Sequence, residues 1–153
     1  MSVFSSIHQA IKMSQNLKVC EVNADLVKKL KAFRMRKDNN NAAIIMKIDT
    51  NSMEVIEDES MEDITIEEVV NELPAHLPRF IALSYVKRHE DGRVSYPLIF
   101  IFMSPAGTKP ELQMMYAGTK LTLVNDMKFT KVFELRDLEE FTEEWLLEKL
   151  KLF

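Results

Sequence analysis

Hydrophobic residues in the first half of the chain recur at helical spacing and then in two strand-like runs. The spacing predicts a helix over residues 23–36, capped by an asparagine, with an apolar face opposite a basic one. The runs at residues 42–48 and 53–59 flank a polar turn, so we predict that they pair as strands. Thr65 and Glu68 form a capping-box pattern. This pattern predicts a short helix that begins after Thr65 and that Pro74 ends.

Two longer strand-like runs follow in the middle of the chain. Residues 80–88 and 94–103 are rich in aromatic and β-branched residues, and an Asp-Gly step between them is typical of a hairpin turn. The second run is almost entirely apolar, which predicts burial on both faces at the centre of a sheet. Pro97 has no N–H to donate, so we expect a bulge or an unpaired position there.

The last third of the chain predicts a helix, a strand and a helix. The long helix covers residues 110–125, and Thr108 with Glu111 forms a second capping-box pattern at its start. Residues 131–135 then read as a short strand, and residues 142–150 as a final helix anchored by a tryptophan. This order of elements predicts an α/β (α+β) fold in which a mostly antiparallel sheet with one crossover lies between helices.

Length and composition exclude several classes of protein. A chain of 153 residues that is 46% hydrophobic fits one globular domain. Its longest apolar stretch, residues 97–103, is too short to insert into a membrane. The single cysteine and three scattered histidines match no metal-ligand spacing, so we expect neither a disulfide nor a structural metal. Three glycines cannot supply a dinucleotide or phosphate loop.

Charge is strongly segregated along the chain. Residues 1–37 carry eight Lys/Arg and two acids, and residues 79–131 carry eight Lys/Arg and four acids. Residues 49–72 carry ten acids and no base, and residues 134–148 carry seven acids and one base. The acidic balance of the chain, with a net charge of −4, argues against nucleic acid, whereas separate basic and acidic faces suit a protein partner. The alternative is that each charged run is only a solvated face.

The first residues form a segment of their own. Residues 1–18 contain no acid and place several apolar residues at helical spacing, which is compatible with an amphipathic helix or a targeting segment. We prefer a flexible extension, with Met13 as a second start. We therefore divide the chain into a flexible N-terminal extension, residues 1–16, and one domain, residues 17–153.

The long helix carries two apolar rows rather than one. At 100° per residue, one side of the helix presents Leu112, Tyr116, Thr119 and Leu123. Nearly opposite lie Met114, Ala117, Leu121 and Val124. Gly118 beside this second row suggests close approach by another group, because glycine costs about 1 kcal/mol in a helix. One row can face the sheet. The second is either a partner site or part of the core.

The sequence gives little support to catalysis. His89, Glu90 and Asp91 could suggest acid–base chemistry, but they fall at a hairpin tip where nothing excludes water. Cys20 precedes a helix, yet no histidine is placed to pair with it. We interpret Cys20 as a packing residue and expect no enzyme activity.

Short motifs distributed over most of the chain form a recognisable set. They are Cys20-Glu21-Val22, Phe33-Arg34-Met35-Arg36-Lys37, residues 41–47, Leu73-Pro74, Pro78-Arg79-Phe80, residues 91–97, 100–102 and 113–118, Lys131-Val132-Phe133-Glu134 and Glu148-Lys149-Leu150. With these motifs, residues 17–153 resemble, with few gaps, the glia maturation factors, a branch of the actin-depolymerising factor homology family. The resemblance implies the family fold, a five-stranded mixed sheet flanked by two pairs of helices.

The resemblance implies a non-enzymatic regulator without a cofactor. It implies binding to the actin-related protein 2/3 complex at actin filament branch junctions, debranching of filaments and inhibition of branch nucleation. Cofilins, which bind actin itself, carry lysines where this chain has Glu111, Gln113 and residues 121–124. We therefore expect weak or no binding to actin alone. The alternative is a cofilin-like module that binds and severs actin.

The resemblance also implies two contact faces. The first, the partner-binding face, would contain Leu17, Lys18, Met114, Ala117, Gly118, Lys120, Leu121 and Val124. The second face would contain Lys87, Arg88, Asp91, Arg93, Glu143 and Glu144. We expect a monomer in the cytoplasm, at branched actin networks of the cell cortex, with the nucleus as a further location.

Overall fold

The computed structural model of the chain describes residues 20–153. This part contains eight strands, four α-helices and one 3₁₀ helix. The strands are β1 Glu21–Val22, β2 Ala42–Asp49, β3 Glu54–Glu62, β4 Arg79–Ser84, β5 Lys87–Arg88, β6 Val94–Ser95, β7 Leu98–Met103 and β8 Lys131–Leu135. The α-helices are α1 Ala24–Arg34, α2 Ile66–Asn71, α3 Pro110–Met127 and α4 Glu143–Leu150, and the 3₁₀ helix is Leu138–Glu140.

The strands form one large sheet and one small ribbon. The sheet order is β1-β3-β2-β4-β7-β8, with parallel pairing only at its two edges. Five of these strands have five residues or more, and β1 adds a two-residue edge. β5 and β6 pair with each other as a separate ribbon. The predicted mixed, mostly antiparallel sheet is confirmed.

Both faces of the sheet carry a hydrophobic core, because successive side chains of a strand point to opposite faces. On one face, Ile45, Ile81 and Ile101 pack beneath α2 and α4. On the other, Ile44 and Phe80 pack beneath α1 and α3. The predicted arrangement of a sheet between helices is therefore confirmed, with one pair of helices on each face.

The two long strands predicted in the middle of the chain are each interrupted. The backbone N–H of Tyr85 still donates to the carbonyl of Pro97 over 3.1 Å, but regular pairing stops there. Pro97 cannot donate in return, so the sheet ladder ends and the ribbon begins. The expected turn is present, with Gly92 at φ +91° and the N–H of His89 donating to the Arg93 carbonyl over 2.8 Å.

The helix caps are partly as predicted. The Asn23 side chain accepts from the N–H groups of the first turn of α1, and Thr65 accepts from the N–H of Glu68 over 3.1 Å. The second capping box is wrong. Thr108 instead donates its hydroxyl to the carbonyl of Pro105 over 2.7 Å, and Lys109 occupies the cap position of α3 without a side-chain bond.

The final helix is held chiefly by leucines rather than by its tryptophan. Leu146 and Leu150 of α4 are buried in the core, whereas Trp145 is half-buried. The Trp145 ring meets Phe133 and Phe141 edge to face, with ring centroids 5.9 and 5.8 Å away. Trp145, the predicted anchor of this helix, therefore packs against the core from its edge rather than at its centre.

Candidate partner-binding surfaces

Helix α3 buries one of its two apolar rows and exposes most of the other. Tyr116 and Leu123 are only 3% and 0% exposed. Met114 and Leu121, on the opposite row, are 54% and 59% exposed. The interpretation of the second row as core is therefore wrong for these two side chains. An uncovered apolar row is a feature expected of a partner-binding surface.

Tyr116 fixes which side of α3 faces the sheet. Its ring lies 5.1 Å from the ring of Phe80, between centroids, and its hydroxyl accepts a 2.9 Å hydrogen bond from the backbone N–H of Ile48. Burial raises the pKa of the phenol above its ordinary value, opposed by the bond from Ile48. Thr119 is buried one turn further along. The exposed row therefore lies on the side of α3 that does not pack on the sheet.

The edges of the exposed row differ from its centre. Ala117 is exposed and Gly118 is half-buried. Val124 is half-buried and packs against the core, so it forms a border between the surface and the interior. Lys120 Nζ lies 3.6 Å from a carboxylate oxygen of Glu134 and 5.9 Å from the ring centroid of Phe102. The positive charge of Lys120 is thus partly neutralised within the molecule.

The remaining two residues predicted for this face, Leu17 and Lys18, lie outside the described residues. The chain that follows them is placed beside α3. Cys20 is buried, and it lines a cleft of about 410 Å³ together with Thr122 and Met127 of α3. The burial of Cys20 agrees with its interpretation as a packing residue.

The ribbon of β5 and β6 carries the basic residues of the second face. Arg88, Asp91 and Arg93 are exposed, and Lys87 is half-buried. Arg93 Nε lies 2.6 Å from Asp91 Oδ2, and the Arg93 N–H donates to Asp91 Oδ1 over 3.1 Å. These two bonds lower the pKa of the Asp91 carboxyl. Arg93 is therefore ordered by the turn, whereas Lys87 and Arg88 form no ion pair among the described residues.

The ribbon shares a cleft with the C-terminal end of α4, and the start of α4 lies beside Tyr85. Glu143 and Glu144 are exposed in the first turn of α4. Glu143 lies beside Tyr85, and burial together with this carboxylate raises the pKa of Tyr85 to about 12. Lys87 and Leu150 line the same cleft of about 350 Å³. The structure thus brings together residues that are more than fifty positions apart.

The residues considered for acid–base chemistry lie at the turn of the β5–β6 ribbon. His89 Nε2 lies 2.8 Å from Ser95 Oγ on the ribbon, Glu90 is exposed, and the exposed Asp91 is bonded to Arg93. Within residues 20–153, no three histidine, cysteine or acidic side chains converge on a common point. The same residues contain no helix of the length and apolarity needed to cross a membrane.

The fold is that of an actin-regulatory class of proteins. Residues 19–151 match the family described as cofilin/tropomyosin-type actin-binding protein, and the chain belongs to this family. Within it, the chain resembles the glia maturation factors. It is 59% identical to human glia maturation factor beta over 141 residues, which are 92% of this chain and 99% of that protein.

Two further relatives agree with this assignment. The Drosophila melanogaster glia maturation factor is 45% identical over 139 residues, 91% of this chain and 100% of that protein. The solution structure of glia maturation factor from Caenorhabditis elegans superposes with a TM-score of 0.74 at 42% identity, covering 85% of this chain and 94% of that chain. The resemblance inferred from the motifs is confirmed.

Three structural features had no clear signal in the sequence. The bond between Ile48 and Tyr116 joins residues 68 positions apart. The approach of Glu143 to Tyr85 depends on how α4 packs. The pairing of Lys120 with Glu134 depends on the position of β8. Only the opposite charges of the last pair could have suggested a contact.

Proposed function

We propose that this protein binds the actin-related protein 2/3 complex, promotes the dissociation of branched actin filaments and inhibits the nucleation of new branches. It acts by binding alone, without a cofactor and without catalysing a reaction. The observation that carries this proposal is the exposed apolar row of α3, centred on Met114 and Leu121. Similarity to the glia maturation factors supports it.

The α3 row suits a hydrophobic groove on an actin-related subunit. A helix that docks in this way presents anchors about one or two turns apart. Met114 and Leu121 are seven residues apart on one side of α3, which is two turns. Ala117 between them is small, so the helix backbone can approach the groove closely. Burying both anchors would remove apolar surface from water at about 25 cal/mol per Å².

The charge of α3 favours an actin-related subunit over actin itself. Glu111 is exposed in its first turn, and Lys120 is already paired with Glu134. Cofilins carry further lysines in this helix, which attract acidic actin. The loss of that attraction supports weak or no binding to actin alone.

The second face supports simultaneous contact with a neighbouring subunit. Lys87 and Arg88 have no carboxylate partner among the described residues, and Glu144 of α4 is exposed. A surface with both signs of charge discriminates between partners by orientation. One molecule using both faces at a branch junction could separate the daughter filament from its base.

A cofilin-like actin-binding and severing module is the competing function, because the matching family is described as cofilin/tropomyosin-type actin-binding protein. We favour a monomer that works in the cytoplasm at branched networks of the cell cortex, with the nucleus as a further site. We do not expect the protein to bind nucleic acid or to insert into membranes.

Two binding assays on the full chain separate these functions. We expect purified actin-related protein 2/3 complex to retain the protein, bare actin filaments to leave it in the supernatant, and branched filaments to lose branches when it is added. A Met35→Asp variant, altered at an exposed methionine that caps the C-terminus of α1 and belongs to neither face, should behave like the wild type. Stoichiometric pelleting with bare filaments, together with no retention by the complex, would instead establish the cofilin-like function.

A further inference from the structure

A groove of about 460 Å³ lies on the face of the sheet opposite to α3, between the first turns of α2 and α4. Its floor is apolar. The side chains that form it are Ile66, Val70, Leu138 and Phe141. Val70 and Leu138 are half-buried, so they offer apolar surface that no other part of the described chain covers.

The charged residues that line this groove are all acidic. They are Glu67, Glu139 and Glu143. Two acidic runs that are separate in the sequence meet here. Residues 49–72 contribute α2 and carry ten acids without a base, and residues 134–148 contribute the 3₁₀ helix and the start of α4 with seven acids and one base. Folding therefore concentrates negative charge around one apolar floor.

The crowding of carboxylates on this face is visible in the environment of Glu59. A hydrogen bond with Glu72 at the end of α2 is the main cause that raises the pKa of Glu59, with burial and the charges of Glu72 and Asp58 adding to it. No Lys or Arg side chain is among the described residues that line the groove. The negative charge of the three glutamates therefore has no counter-charge within the groove lining.

We propose that this groove docks a basic segment of a protein partner, one that presents an apolar side chain to the floor and Lys or Arg to the rim. The apolar floor calls for a hydrophobic anchor, and the acidic rim selects a cationic flank. The same rim would repel nucleic acid and anionic lipid. Because α3 lies on the other face of the sheet, this segment and the partner of α3 can bind at the same time.

Trp145 provides a direct signal for this test. It is the only tryptophan of the chain, and its ring lies 5.8 Å from that of Phe141 in the groove floor. We would titrate the full chain with a short peptide in which lysines flank phenylalanine and leucine, without actin or any actin-related protein. We expect a saturable change in tryptophan fluorescence that weakens as salt is raised.

Two control peptides separate specific docking from general attraction. Replacing the phenylalanine and leucine with serine removes the anchor but keeps the charge, and replacing the lysines with glutamate reverses the charge. We expect both to bind at least about tenfold more weakly. Equal binding of the serine peptide, or no response to any peptide, would overturn the proposal.

A pair of matched variants locates the site. Glu67→Lys with Glu139→Lys reverses two rim charges, and Glu111→Lys with Asp126→Lys makes the same charge change on exposed residues of α3. With folding verified by circular dichroism, the first variant should bind the lysine peptide about tenfold more weakly and the second should bind like the wild type. Equal weakening in both would show a non-specific charge effect and overturn the proposal. Self-association of the chain that only the rim variant abolishes would also overturn it, by assigning the groove to a second copy.

Discussion

The backbone N–H of Ile48, at the end of β2, donates a 2.9 Å hydrogen bond to the hydroxyl of Tyr116 in the middle of α3. Both residues are buried. The bond ties the long helix to a strand 68 residues earlier in the chain. It fixes the rotation of α3 and, through it, the exposure of Met114 and Leu121.

Removal of this hydroxyl should weaken the domain. Tyr116→Phe leaves the buried N–H of Ile48 without its acceptor, at a cost of about 1–3 kcal/mol. The midpoint of thermal unfolding should fall by about 2–4 °C for each kcal/mol. Tyr96→Phe is a matched control, because the Tyr96 hydroxyl donates to Asn39 Oδ1 at an exposed site. An equal fall of the unfolding midpoint in both variants would show that the buried bond to Ile48 stabilises the domain no more than the exposed bond to Asn39 does.

Charges on the exposed row of α3 should separate binding from folding. Met114→Asp with Leu121→Asp places two carboxylates on exposed positions, so the fold should survive, whereas docking into an apolar groove would require their desolvation. We expect loss of retention by the actin-related protein 2/3 complex with unchanged circular dichroism. Leu123→Asp, at a fully buried position of the same helix, should unfold the domain. A folded double variant that binds normally would remove this row from the proposed site.

The basic ribbon should contribute to debranching without contributing to stability. Replacing Lys87, Arg88 and Arg93 by alanine affects side chains that are exposed or half-buried, so the unfolding free energy should change by less than about 1 kcal/mol. Branch dissociation should slow, and the difference from wild type should shrink at high salt if acidic groups on the partner are involved. Full debranching activity of the triple variant at physiological salt would contradict a role for this face.

The phenol of Tyr85 should titrate late, with a pKa of about 12 instead of 10. Because the folded pKa lies above the unfolded one, Tyr85 favours folding below pH 10, and this contribution is lost as the pH rises to about 12. Glu143→Gln should move the pKa part of the way back, since burial is the larger cause. Phenolate absorbance, assigned with Tyr85→Phe, measures both values. An unchanged pKa in Glu143→Gln would show that burial alone is responsible.

Local sequence signals predicted most of the secondary structure. The caps at Asn23 and Thr65 form as expected, because a side-chain oxygen satisfies N–H groups only two or three residues away. The pattern around Thr108 failed because another local partner competed for its side chain. The Thr108 hydroxyl donates to the carbonyl of Pro105, three residues earlier, and the capping pattern does not reveal this competitor.

The sites were less predictable, because they depend on contacts between distant segments. The periodicity of α3 showed two apolar rows but left open which of them the sheet covers. The sheet covers the row that contains Tyr116, because the ring and the hydroxyl of this residue both have partners on the sheet. The residues of the second face were assigned from family resemblance, and the structure places Lys87 and Leu150 around the same cleft.

The sequence by itself determined the order of the elements and the two-sided sheet, since strand alternation and helical spacing are properties of neighbouring residues. The tertiary structure alone decided which apolar side chains reach solvent and where charges meet. Residues 49–72 and 134–148 are both acidic in the sequence, yet only the packing of α2 and α4 on one face of the sheet brings Glu67 and Glu139 around the same apolar floor. Hydrophobic burial drives that packing, and the field of the carboxylates is its consequence.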